Sequence, residues 1–295
     1  MWILLAVCSA LGLGFYDVFK KLSLRGNNVL LVLMLNTVFG TLLMSPVLVG
    51  CLAEGHFGLG DSVAGHLRIL LKAVIVLGSW LLGYFAIKHL PLTIQGPVNA
   101  SRPVLVLVGA LVVFGERLNA LQWAGISLGF VSLFLISRIG AAEGFSLRGS
   151  RWLSMAIGAT ALGAVSALYD KYLLGLYPPL EVQAWYSLYQ CVIMCAVILL
   201  MRRVAPDAAG AGARFEWRWS IPCISLFLTG ADIAYFYSLS LPGAMISVVS
   251  MIRRGSVIVS FLYGVLILRE KHVRAKAVDL LVMLAGLALL IAGSH

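Results

Sequence analysis

Apolar residues fill this chain in runs rather than in stripes. Stretches such as WILLAVCSALGLG near the start and LLVMLAGLALLIAG near the end carry hydrophobic side chains on every face of a helix, the pattern of an element with no watery side. A helix needs about 20 such residues to cross the hydrocarbon core of a bilayer. Runs of that length predict ten spans, at approximately 2–22, 28–52, 67–88, 93–114, 119–138, 152–174, 180–201, 219–240, 243–268 and 273–292. Turn chemistry separates most of them: Arg25-Gly26-Asn27-Asn28, Leu90-Pro91, Tyr177-Pro178-Pro179 and Leu241-Pro242-Gly243. The longest connectors, 53–66, 139–151 and 202–218, are too short for a second domain. Trp152, Trp217 and Trp219 fall near span ends, where indole favours the interface.

The pattern repeats. GYFAIKHLPLTIQGPVNASRP in the first half aligns with AYFYSLSLPGAMISVVSMIRR in the second, pairing Tyr84-Phe85 with Tyr235-Phe236, Pro91 with Pro242 and Arg102 with Arg253. Eleven positions separate proline from arginine in both halves. Tyr16-Asp17 and Tyr169-Asp170 add a further pair. The predicted organisation is one all-α membrane domain: a five-helix repeat at 1–138, a connector at 139–151 and a second five-helix repeat at 152–295. Five is odd, so the halves enter the membrane from opposite sides and form an inverted repeat, an arrangement suited to alternating access.

Composition strengthens the membrane assignment: 61% of the 295 residues are hydrophobic and 12% charged, against about 25% charged in soluble domains. The net charge of +10 does not argue for nucleic acid, because the basic residues sit in short connectors instead of one polar face. Connectors after odd-numbered spans carry most of them, including Lys20, Lys21, Arg25, Lys88, Arg138, Arg148, Arg151, Arg202, Arg203, Arg214, Arg218, Arg269, Lys271, Arg274 and Lys276. Those on the opposite side carry little beyond Arg68, Lys72 and Arg117. The positive-inside rule makes the first set cytoplasmic and places both termini outside, in a multi-pass protein of the cytoplasmic (inner) membrane. The five cysteines show neither disulfide nor zinc spacing, and no Gly-rich lysine-containing nucleotide motif occurs, so no metal and no cofactor are expected. GISLG at 125–129 satisfies an esterase pattern but lies inside a span, away from the strand-to-helix turn such a serine needs. Asn99-Ala100-Ser101 satisfies a glycosylation pattern but lies within the fourth span.

Each half ends on an apolar helix followed by a short acidic-basic turn, FGERLNALQWAG at 114–125 and LREKHVRAKAVD at 268–279. With the two five-helix halves, these turns resemble the EamA-like ten-helix branch of the drug/metabolite transporter superfamily over nearly the whole chain. That resemblance implies a small-metabolite transporter, not an enzyme, with a central cavity between the halves. Arg102 to Glu116 spans 14 residues and Arg253 to Glu270 spans 17, so the halves do not superpose through the ninth helix. A shorter stretch, SVVSMIRRGSVIVSF at 247–261, resembles the ninth helix of triose-phosphate and nucleotide-sugar translocators, where a Lys-Arg pair holds the substrate's phosphate.

Charges within spans are costly and face a cavity or each other. Arg102 lies about 9 residues, roughly 14 Å, into the fourth span, and Arg253 stands at a similar depth in the ninth with Arg254 beside it. Guanidinium grips carboxylate or phosphate bidentately, so these three are candidate substrate contacts; the alternative is pairing with Asp17, Asp170 or Asp232 to lock the bundle. Gln95, Asn99, Trp185, Tyr186, Gln190, Asp232 and Tyr235 add polar and aromatic candidates, and Asn36 and Gln183 fall at similar depth. Asp17 with Lys20, and Asp170 with Lys171, fall at opposite mouths of one path, as gate ion pairs, as proton carriers, or as structural pairs within one helix turn. Gly125 and Gly129 form a small-residue pair suited to close packing or a dimer face, leaving monomer and homodimer both open.

The expected function is secondary transport of a small, anionic organic metabolite by alternating access, through exchange or proton coupling, with the lipid bilayer as the other partner. Export of amino acids, aromatic or cationic compounds anchored on the aspartates is the alternative, and a lipid-acting enzyme or scramblase a more distant one.

Overall fold

The computed structural model describes residues 1–24, 27–53, 58–89, 98, 102–140, 151–204, 215–256, 259 and 273–293. Among these, ten α-helices occur: α1 (Trp2–Leu24), α2 (Val29–Ala53), α3 (Val63–His89), α4 (Arg102–Val113), α5 (Ala120–Gly140), α6 (Arg151–Leu174), α7 (Pro179–Val204), α8 (Ser220–Ser240), α9 (Ile246–Arg253) and α10 (Val273–Ala292), with a 3-10 turn at Leu59–Asp61. Six carry stretches long and apolar enough to cross a membrane: Trp2–Leu24, Leu30–Ala53, Val63–Gly83, Arg151–Leu174, Pro179–Met201 and Ser220–Ser240. The predicted span at 93–114 is described only at residue 98 and from Arg102, and that at 243–268 only through residue 256 and at 259.

Local caps fix several helix starts. Asn28 Oδ1 accepts the N–H groups of Leu30 and Leu31 at 3.1 and 3.3 Å and opens α2. Asn119 and Gln122 cap each other reciprocally at 2.9 and 3.0 Å and open α5. Ser62 Oγ accepts the Gly65 N–H at 3.0 Å, which starts α3 at Val63, four residues before the expected 67. Outward faces are apolar: Leu4, Leu42, Val49, Leu71, Val112 and Leu200 are all exposed, as side chains facing lipid would be.

Helix ends gather on two sides. On one, the ends of α3 and α6 meet through Arg68 Nη1 to the Tyr177 hydroxyl (2.7 Å), and Asn119 before α5 donates to the Gly293 carbonyl after α10 (2.5 Å). On the other, Ser23 and Ser220 hydroxyls meet at 2.6 Å, Asn27 Nδ2 donates to the Glu216 carbonyl at 2.7 Å, and Arg218 donates to the Leu22 carbonyl at 2.6 Å. Laterally, α1 runs along α8 and α3 along α6; α2 lies against α7 and α8, and α7 against α3; α4 meets α9 and α6, and α9 meets α1; α5 runs along α10. Polar side chains stitch these pairs, as Ser79 Oγ does to the Ala159 carbonyl (2.7 Å) and Thr41 Oγ1 to the Ser187 carbonyl (2.9 Å).

The α5–α10 contact is made backbone to backbone. A Cβ at Gly125 would stand 2.7 Å from the Gly286 carbonyl oxygen, and one at Gly286 would stand 2.9 Å from the Gly125 carbonyl oxygen. The small-residue pair is therefore used for packing within the chain. Gly125→Leu is expected to drive the helices apart at a cost of about 1–3 kcal/mol. The melting temperature of the purified protein in detergent should fall by several degrees, and an unchanged value would show that the seam is loose.

Candidate functional site

Helices α2, α3, α7 and α8 enclose a small polar chamber. Asn36, Thr37 and Gly40 contribute from α2, Trp80 from α3, Gln183, Tyr186, Ser187 and Gln190 from α7, and Leu228, Thr229 and Asp232 from α8. Spacing explains the α7 face: 183, 186, 187 and 190 recur at three and four residues and share one side of a helix. The chamber measures about 20 Å³, space for a water or two and no more. Among the described residues, two of its amide atoms, Gln183 Oε1 and Gln190 Nε2, are buried with no hydrogen-bond partner. Asn36 is committed, its Oδ1 accepting the Ser225 hydroxyl at 2.9 Å.

A charged layer adjoins the chamber. Arg253 Nη2 donates to Asp232 Oδ1 at 3.1 Å, and its guanidinium lies 3.9 Å from the centre of the Tyr235 ring. Arg253 is thus a partner of Asp232. Lys72 Nζ stands 2.7 Å from Asp170 Oδ1, with both side chains buried, and over the rings of Phe236 at 3.9 Å and Tyr186 at 4.4 Å. Lys72 was counted from sequence among connector charges. It is instead ten residues into α3 and 2% exposed.

Arg102 differs from both. Its guanidinium lies across α6 at Gly163, where a Cβ would stand 2.5 Å from its Cζ. Among the described residues its Nε is buried without a hydrogen-bond partner, and the charges it feels are cations, Arg253 and Arg254. Arg254 lies within electrostatic reach of Arg102, Arg253 and Asp17, beside a small hollow lined by Gly125, Gly129 and Gly286. Three guanidinium groups from two helices therefore occupy one region.

The gate candidates separate. Asp170 pairs with Lys72 and is 7% exposed, whereas Asp17 is exposed, within reach of Lys20 and Arg254. Lys20 stands over the Tyr16 ring at 5.2 Å. Lys171 does not meet Asp170. Its Nζ donates to Glu116 Oε1 at 2.6 Å and to the Ala244 carbonyl at 2.9 Å. Adjacent helical residues point about 100° apart, so neighbours in sequence take different partners. Glu116 also accepts the Ile246 N–H at 2.6 Å, the Ser247 N–H at 3.2 Å and the Ser247 hydroxyl, capping the start of α9.

Of the other candidates, Tyr186, Gln190 and Asp232 line the chamber, and Tyr235 lies beneath Arg253. Trp185 turns elsewhere, edge-on to His66 at 4.6 Å between ring centres. Gln95 and Asn99 lie outside the described residues. Among the described residues no group of three or more His, Cys, Asp or Glu side chains is placed to hold a metal.

No curated protein matches the chain. A solved structure described as "Crystal structure of protein" has the same fold, with a TM-score of 0.69 at 17% identity over 96% of this chain and 95% of that one. Residues 1–138 match the EamA-like transporter family. Over that stretch, just under half of its length, the chain is similar to EamA-like transporters.

Proposed function

We propose that the protein is a secondary transporter that moves a small anionic organic metabolite by alternating access. The observation that carries this is the unequal neutralisation of the charged layer. Lys72 and Arg253 each have a carboxylate, at 2.7 and 3.1 Å, while among the described residues Arg102 has no carboxylate within reach and only cationic neighbours, Arg253 and Arg254. A buried cation without compensation is costly, and a carboxylate or phosphate on the cargo supplies that compensation with matching geometry. Arg254 and the unsaturated amides of Gln183 and Gln190 are further contacts, with Tyr186 and Tyr235 as aromatic walls.

Alternating access is supported by the way helices pair. Adding five to each helix number, less ten where the sum passes ten, turns α1–α8 into α6–α3, α2–α8 into α7–α3, and α1–α9 into α6–α4, all of them contacts in the fold. An inverted five-helix repeat generates that equivalence. Asp17 exposed and Asp170 sealed against Lys72 are what one open and one closed mouth give equivalent positions. The Lys171–Glu116 pair closes the second mouth, and the chamber, with room for only a water or two, must widen to take cargo. We place the protein in the inner membrane with both termini outside, on the distribution of basic connectors.

Asp232 lining the chamber supports a second reading, export of amino acids or amines anchored on that carboxylate. Proteoliposomes separate the two. Uptake of labelled succinate or glucose 6-phosphate, cut by unlabelled anions of the same class and untouched by amines, is the expected result. Flux of amino acids or amines with no anion uptake would overturn the anionic reading.

A further inference from the structure

An ammonium is strongly hydrated and leaves water only against compensation. Lys72 has left it: the residue is 2% exposed and its Nζ is held by Asp170 at 2.7 Å and by the faces of Phe236 and Tyr186. A lock between α3 and α6 does not require this, since well-packed apolar residues hold helices as well as a buried ion pair does. The surroundings point to another use for the charge. Asp170 lies within electrostatic reach of Arg253 as well as Lys72, and Asp232 within reach of Lys72 as well as Arg253. The two pairs form one cluster of two cations and two carboxylates, Arg254 beside them has Asp17 within reach, and Arg102 is the charge left over. If Lys72 is removed, Asp170 sets its field against Arg253 and, through it, against the charge offered by Arg102.

We infer that Lys72 is a specificity-determining residue: by neutralising Asp170 it leaves the layer with one uncompensated positive charge, and so makes the chamber select an anion. This rests on the anionic reading of the function and adds the residue that sets it. Lys72 touches Tyr186, whose ring lines the chamber, so the charge acts from behind the cargo wall.

Substitutions that change the charge count separate this from a structural lock. Asp170→Asn raises the count, Lys72→Met lowers it, and the double variant restores it. Thermal-shift titrations at low salt, with succinate, inorganic phosphate and tetramethylammonium as probes, read the affinities. For the better anion, D170N should bind about threefold tighter than wild type, K72M about tenfold weaker, and the double variant within about threefold of wild type. If K72M does not fold, D170N and the double variant still decide. D170N no tighter than wild type, or a folded double variant as weak as a charge-depleted site, overturns the role of Lys72 alone. A wild-type protein that answers to neither anion overturns the anionic reading, and the role of Lys72 with it.

Discussion

Glu116→Gln is expected to loosen the junction that Lys171 holds and, on the gating proposed for it, to speed labelling inside it by at least about tenfold. The carboxylate is 4% exposed and takes four donors: Lys171 Nζ and the Ile246 N–H on Oε1, and the Ser247 N–H and hydroxyl on Oε2. An amide has one oxygen and presents an NH₂ to donors at the other position. Lys171 then keeps only the Ala244 carbonyl and the Phe114 ring, 5.2 Å away. Loss of a buried charged acceptor costs about 2–4 kcal/mol, and here it falls on the junction of the α4–α5 turn, the end of α6 and the start of α9. These segments come from both halves of the chain, so one substitution uncouples them. In a cysteine-free background, a cysteine at Ala244, 7% exposed, should react slowly with a membrane-impermeant thiol reagent in the otherwise native protein and rapidly with Glu116→Gln. Equal rates would mean that the Glu116 contacts only cap α9 and hold no mouth shut.

How far the sequence revealed this arrangement depends on the range of each interaction. Helix extents follow from apolar runs, and the eight spans described from end to end begin and end within a few residues of expectation; α3 begins earlier because Ser62 supplies a cap before the apolar run starts. The chamber face on α7 was legible because three- and four-residue spacing places Gln183, Tyr186 and Gln190 together. Ion-pair partners were not. Asp170 and Lys171 look like one gate pair in sequence, yet they take Lys72 and Glu116, 98 and 55 positions away. Nothing local selects such partners; helix packing does. Lys72 was misplaced for a related reason. A basic residue near a span end was assigned to the connector tally used for orientation, whereas its position ten residues into α3 puts it inside the bundle. An isolated lysine followed by AVIVLGSW is the signal that marks it as a buried charge.

Gly163→Ala should cut anion uptake by about tenfold or more while leaving the fold intact, and this asymmetry makes it the sharper test of Arg102. A Cβ at position 163 would stand 2.5 Å from Arg102 Cζ and Nη2 and 2.6 Å from Nε. These atoms are the far end of a flexible side chain, so the guanidinium yields and the helices need not. Alanine in the middle of α6 also gains up to about 1 kcal/mol of helix propensity over glycine, which offsets part of any repacking. The melting temperature in detergent should therefore hold, while the guanidinium leaves the place from which it is proposed to face cargo. Arg102→Gln removes the same charge directly and should reduce uptake at least as far. Because both changes act through one group, G163A/R102Q should be no worse than R102Q alone, whereas independent sites would add. Uptake by Gly163→Ala at the wild-type rate would show that the guanidinium position over α6 has no part in transport, and the unpaired charge would then need another explanation.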